Sequence, residues 1–273
     1  GLHGMAAVKP ESFPRTRDGR DPARSRSDES ADRRLAPGAT QPLEMTTCNE
    51  AHGTSTEQRL VEETLEHITE KRGTLDVNLR AVSRRVGCAH TNVYNYFDSY
   101  QDLLWEAFRR ALRVYGEYLT RDLGGVDDPT EYLRRTVTNL ASFPQQDPGL
   151  YRLIGSDPID LEAIPADVME TVTSMKRWFA SVVAAAAGPE VSAAGARDIA
   201  DIVIAYIDGE TLNLINGRAI ADEDLSARVV GNALRLFELL AGEAAGRGGP
   251  AGAGRALPPD PASIFSAKGD VTS

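Results

Sequence analysis

Cysteine is almost absent from this 273-residue chain: Cys48 and Cys88 are the two that occur, too few to staple a small secreted scaffold. Histidine is nearly as scarce. His3, His52, His67 and His90 all precede residue 91, so the rest of the chain offers no imidazole to a metal, although an all-carboxylate magnesium site stays open. The longest apolar run, Trp178 to Gly188, falls well short of the roughly 20 residues a bilayer span needs. No secretory leader pattern is read at the start, and a cytoplasmic protein without membrane attachment is expected. There is no nucleophile elbow, phosphate loop or metal-ligand spacing, and the glycines of GRGGPAGAG lack the strand and helix that would give them meaning. Neither an enzyme nor a cofactor is expected.

What the chain does hold is a 41% hydrophobic fraction, enough for a real core, and helical periodicity. The two ends differ from the middle. Residues 1–53 and 242–273 mix Pro, Gly and Ser with scattered charge and no apolar period, and both read as disordered tails. Between them every strong signal is helical. Ser99 caps a helix through about Thr120, Asp128 and Pro129 start another, and Pro144 and Pro148 punctuate a short one near Leu150 to Ile154. Pro165 opens a long helix, and two more run over about 193–218 and 223–241. No alternating pattern long enough for a strand occurs, so the fold class is all-α.

The segment Asn78 to Leu104, NLRAVSRRVGCAHTNVYNYFDSYQDLL, carries the functional signal. Leu79, Val82 and Val86 form one apolar stripe of a short helix capped by Asn78, while Arg80 and Arg84 share another face. Gly87 supplies a left-handed stop. Ala89, Val93 and Phe97 then recur at i, i+4 and i+8 and are expected to close against that stripe. This turns His90, Thr91, Tyr94 and Asn95 outward, a face of hydrogen-bonding groups suited to base edges and phosphates. The same periodicity also describes an ordinary helical hairpin with a wet polar face.

Gly87, the Tyr94-Asn95-Tyr96-Phe97 run and the Leu103-Leu104 pair, within Thr56 to Leu104, resemble the DNA-binding domain of the tetracycline-repressor (TetR) family. The resemblance implies a helix-turn-helix DNA-binding domain at 54–101 and a helical effector-binding and dimerisation domain at 102–241. Position by position, it implies DNA contacts from Arg80, His90, Thr91, Asn92, Tyr94, Tyr96 and the Tyr100 position, to which the charge of Arg84 and the outward face of Asn95 are added. Two positions depart from the pattern: Ala89 replaces the usual Ser or Thr cap, and Tyr100 replaces a phosphate-binding Lys. Cys88, where the family has a small apolar residue, reads as buried filler rather than a redox sensor. Charge adds a constraint, because the net −10 lies almost wholly in residues 102–241. Phosphate contacts must then come from Lys71, Arg72, Arg80, Arg84 and Arg85.

The last two helices carry apolar residues around more than one face, and in the resembled family such helices pair with their symmetry mates. A homodimer through about 193–218 and 223–241 is therefore expected, with two reading heads roughly 34 to 36 Å apart on a near-palindromic double-stranded operator. The resemblance also implies a small-molecule effector of unknown identity. Its pocket is expected among Phe108, Tyr115, Phe143, Tyr151, Trp178 and Tyr206, for each of which simple core packing is the competing reading. Asp208 and Glu210, flanking Gly209 inside an apolar helix, could recognise a cationic ligand, although facing solvent or capping a kink is the commoner fate of such residues. The function so implied is a ligand-responsive regulator, most naturally a repressor released from DNA by its effector. The rival reading is a helical ligand- or protein-binding dimer that has lost specific DNA binding.

Overall fold

In the computed structural model residues 55–157, 164–218 and 225–247 are described, and all regular structure among them is helical. The expected tail at 1–53 and residues 248–273 of the expected C-terminal tail lie outside these residues. The α-helices are α1 Thr56–Lys71, α2 Leu79–Val86, α3 Tyr100–Thr120, α4 Pro129–Gln146, α5 Pro148–Gly155, α6 Ala166–Ala187, α7 Ala193–Ile215 and α8 Leu225–Arg247, with a 3-10 helix, His90–Asn95, between α2 and α3.

Helix starts follow from local chemistry. Ser55 and Gln58 form a reciprocal capping box at α1, with Gln58 N donating to Ser55 Oγ at 3.2 Å and Ser55 N to Gln58 Oε1 at 3.1 Å. Asn78 Oδ1 accepts from Arg80 N at 2.9 Å, and Ser99 Oγ accepts from Asp102 N at 3.1 Å. Asp128 caps α4, whose first residue is Pro129. Gly87 closes α2 in the left-handed region at φ 82°. At the far end, α8 continues past residue 241, where a tail was expected, to Arg247. Ala244 and Ala245 still pack on the core there, and such small side chains read as tail composition while remaining good helix formers. Pro144 likewise does not break α4. It sits buried in the last turn, where little helix remains to be disrupted.

Three apolar clusters organise the packing. One joins α1, α2, the 3-10 helix and the start of α3 through Leu60, Val82, Val86, Cys88, Val93, Phe97 and Leu103. A second sits where α1, α3, α4, α5 and α6 meet, around Ile68, Trp105, Phe108, Leu112, Phe143, Leu150 and Tyr151. The largest spans α3, α4, α6, α7 and α8. Leu60, Val82, Val93 and Leu103 have no exposed surface, and burying a Val or Leu side chain fully contributes roughly 1.5 to 3 kcal/mol each.

Candidate DNA-reading face and interior cavity

The expected inward stripe of the second motif helix is altered by its geometry. The segment His90–Asn95 is a 3-10 helix with three residues per turn. Ala89 is the extended N-cap residue, at φ −67° and ψ 142°, and lies outside the helical turn that sets Val93 inward. It stands exposed at the cap with no side-chain hydrogen bond, and Cys88 takes the inward place. Val93 and Phe97 anchor the segment, at 0% and 5% exposure.

Those two anchors hold a polar and aromatic set in solvent. Tyr94 is 53% exposed and Tyr96 41%, while His90, Thr91 and Asn95 are exposed and Asn92 is half-buried. On a 3-10 helix residues three apart eclipse, so Thr91 lines up with Tyr94 and Asn92 with Asn95. Arg80 and Arg84 are exposed on the preceding helix, one turn apart.

Two further expected contributors have surroundings of their own within the head. Arg85 is clamped by carboxylates: Nη1 donates to Glu63 Oε1 at 2.8 Å and Nη2 to Glu70 Oε2 at 2.7 Å. Hydrogen bonds to Glu70 and Glu63 raise its guanidinium pKa further, and its charge is balanced by two carboxylates of α1. Replacing it should therefore spare DNA. Arg85→Ala is expected to change the affinity for any bound duplex less than about threefold, against roughly tenfold for a cation that meets a phosphate directly, as read by fluorescence anisotropy. Tyr100, set where the resembled family has a phosphate-binding Lys, packs against the head cluster. Its buried hydroxyl finds no partner among the described residues, and burial pushes the phenol pKa up. Its ring stays half-buried at the edge of that cluster.

An acidic cleft of about 290 Å³ adjoins Tyr96 and Phe97. Glu57, Asp98, Asp102 and Glu106 line it, and its one lining cation, Arg109, is bound to Glu106 at 2.6 Å and Asp167 at 2.6 Å. That flank therefore presents negative charge, whereas Arg80 and Arg84 stand exposed on α2.

Deeper in the chain, α3, α4, α5, α6 and α7 surround a cavity of about 190 Å³. Of the expected pocket residues, Tyr115, Tyr151 and Trp178 line it. Phe108, Phe143 and Tyr206 do not. Phe108 packs edge-on to Trp105 at 5.6 Å, and Phe143 lies behind the wall, 4.8 Å from Tyr115 and 5.1 Å from Tyr118 between ring centroids. Tyr206 turns toward α8, where its hydroxyl accepts from Asn232 Nδ2 at 3.1 Å. Each satisfies its apolar periodicity against a neighbouring helix instead of the void.

Asp208 and Lys176 complete the lining. Tyr151 Oη donates to Asp208 Oδ1 at 2.6 Å. Desolvation raises the Asp208 carboxyl pKa, opposed by that hydrogen bond and by the charge of Lys176. Burial and the nearby Asp208 carboxylate push the Tyr115 and Tyr151 phenols above their ordinary range, so both remain neutral donors. The buried indole N–H of Trp178 has no acceptor among the described residues. The charged flank of Gly209 singled out Asp208 in the sequence, but no local signal paired it with Tyr151, 57 residues away. Lys176 carried no signal at all.

The helix α5 connects these regions. Tyr151 and Ile154 face the cavity, and Gly149 touches the backbone of α1 at Ile68 and Thr69. Around it, Thr69 Oγ1 donates to Asp147 Oδ2 at 3.0 Å, Thr74 N and Oγ1 each donate to Asp157 Oδ2 at 2.6 Å, and Arg152 Nη2 donates to the Ile215 carbonyl at 2.7 Å.

No family model matches the sequence, and no curated protein does. Solved structures do. The fatty acid degradation regulator FadR from Bacillus halodurans is similar over 68% of this chain and 96% of its own, at 14% identity and a TM-score of 0.53. A protein with unknown function from Rhodococcus sp. RHA1 is similar over 70% of this chain and 98% of its own, at 18% identity and a TM-score of 0.56. At such identities the likeness is one of fold, shared over about two thirds of this chain.

Proposed function

We propose that this protein is a ligand-responsive transcriptional regulator of the TetR type. In this reading a homodimer binds a near-palindromic operator and releases it when a small molecule enters the cavity. One observation carries the reading. The segment His90 to Tyr96 holds two tyrosines, a histidine, a threonine and an asparagine in solvent on fully packed Val93 and Phe97, beside the exposed Arg80 and Arg84. Exposed rings cost hydrophobic free energy, and a hydrogen-bonding aromatic face next to exposed cations suits a duplex. The division into a reading head at 54–101 and an effector-binding and dimerisation part at 102–241 belongs to the same proposal.

Dimerisation through α7 and α8 is supported by their outward faces. Ile202 is 45% exposed and Leu239 64%, with Ala205, Gly209, Gly231 and Gly242 also exposed. Small residues let a partner's helices approach closely, and the apolar pair gives them something to bury. Twofold symmetry would then set two heads on one side of the duplex. A ligand that favours one position of α5 or α3 changes the spacing of the heads, and DNA must disfavour that ligand to the same degree.

The test is a mobility shift with the full-length protein and the DNA flanking its own gene. Retardation with a twofold-symmetric footprint is expected, with affinity falling by about three orders of magnitude or more between roughly 50 and 200 mM salt. Unretarded DNA at micromolar protein and low salt would favour a helical dimer without specific DNA binding instead.

A further inference from the structure

We propose that the cavity binds a small hydrophobic amine in its protonated form, with the ammonium held by Asp208 beside the rings of Tyr115, Tyr151 and Trp178. This rests on the reading of the cavity as the effector site and names the chemistry of its ligand.

Size sets the first limit. The cavity measures about 190 Å³, and a dry cavity of about 150 Å³ admits benzene. One aromatic or alicyclic ring with a short arm therefore fits. The walls match such a ligand, since Leu112, Leu119, Leu140, Val172, Met175 and Phe179 are apolar.

The carboxylate sets the chemistry. Asp208 stands among these apolar walls with a single hydrogen bond, from Tyr151, whereas an ionised carboxylate offers about four acceptor positions. Among the described residues none forms an ion pair with it. A carboxylate withdrawn from water needs either a counter-charge or a proton. An ammonium supplies the charge together with three donors, and the aromatic residues Tyr115, Tyr151 and Trp178 line the same cavity, a surrounding that favours a cation. Lys176 also lines the cavity but is solvent-exposed, so water and salt screen its opposing charge. An anion would face the reverse arrangement, attracted by the exposed Lys176 and repelled by the less exposed Asp208.

Isothermal titration calorimetry on the full-length protein without DNA compares three probes of one shape: 2-phenylethylamine, 2-phenylethanol and phenylacetate. The amine is expected to bind at least about tenfold more tightly than the alcohol, with the acid weakest. In Asp208→Asn that preference should fall to about twofold or less while the alcohol keeps its affinity, which also reports an intact cavity. Lys176→Met supplies a second arm and should strengthen amine binding about two- to fivefold, more at low salt. The proposal is overturned if alcohol or acid binds as tightly as the amine, if the preference survives in Asp208→Asn, or if none of the three binds. DNA is absent from every arm, so failure of the operator reading in the mobility shift is told apart from failure of the ligand chemistry.

Discussion

Gly149→Ala should lower the thermal midpoint by roughly 5 to 12 °C, the loss expected when about 2 to 3 kcal/mol of overpacking strain enters a folded unit of this size. A Cβ at residue 149 would lie 2.4 Å from the Ile68 carbonyl oxygen, 2.8 Å from Thr69 Cα and 2.9 Å from the Ile68 carbonyl carbon. All three are backbone atoms, so no rotamer change relieves the contact. Either α5 lifts from α1 or the C-terminal turn of α1 moves. Lifting α5 also strains the Thr69 to Asp147 and Thr74 to Asp157 hydrogen bonds that hold its two ends. The same helix provides a control: a Cβ at Gly155 meets nothing within 4 Å. Gly155→Ala should leave the midpoint within about 2 °C or raise it slightly, because Ala narrows the unfolded ensemble. Calorimetry of both variants checks the contrast, and equal midpoints would mean that α5 does not bear on α1 as closely as this geometry requires.

The Gly149 contact also shows which parts of the molecule could be read from the sequence. Helix starts were legible because caps act over two or three residues: Asn78, Ser99 and Asp128 each accept from a backbone N–H within their own first turn. The inward positions of the head were legible at Val82, Val86, Val93 and Phe97 for the same local reason. The cavity was less so. Periodicity marks the apolar face of a helix without stating which of several neighbours meets it, which is why Phe108, Phe143 and Tyr206 were grouped with Tyr115, Tyr151 and Trp178. Distinguishing them requires the angle at which α3, α4 and α7 cross, a property of the assembled bundle. The 3-10 form of His90–Asn95 was not legible either, since in a helix of six residues apolar spacing samples too few turns to tell one pitch from the other. Arg85 read as an available cation because its partners, Glu63 and Glu70, lie on α1, 22 and 15 residues away.

Tyr94→Ala should weaken operator binding by roughly 5- to 150-fold, equivalent to about 1 to 3 kcal/mol for a lost specific contact, with stability changed by less than about 0.5 kcal/mol. The two effects separate because the ring is 53% exposed and removing it opens no cavity in the head. Its neighbour behaves in the opposite way, because Val93 has no exposed surface and belongs to the cluster that joins the 3-10 helix to α1 and α2. Shortening Val93 would loosen the platform itself and weaken DNA binding only through that loss, in proportion to the unfolded fraction. Arg80→Ala forms a third case: its exposed guanidinium, one helix earlier, is expected to act on phosphate and to reduce the slope of log affinity against log salt by about 1. Anisotropy titrations across a salt series, with calorimetric midpoints for each variant, distinguish the three behaviours. A Tyr94→Ala protein and an Arg80→Ala protein that both bind like the wild type would take the reading face away from this surface, whatever the dimer and the cavity do.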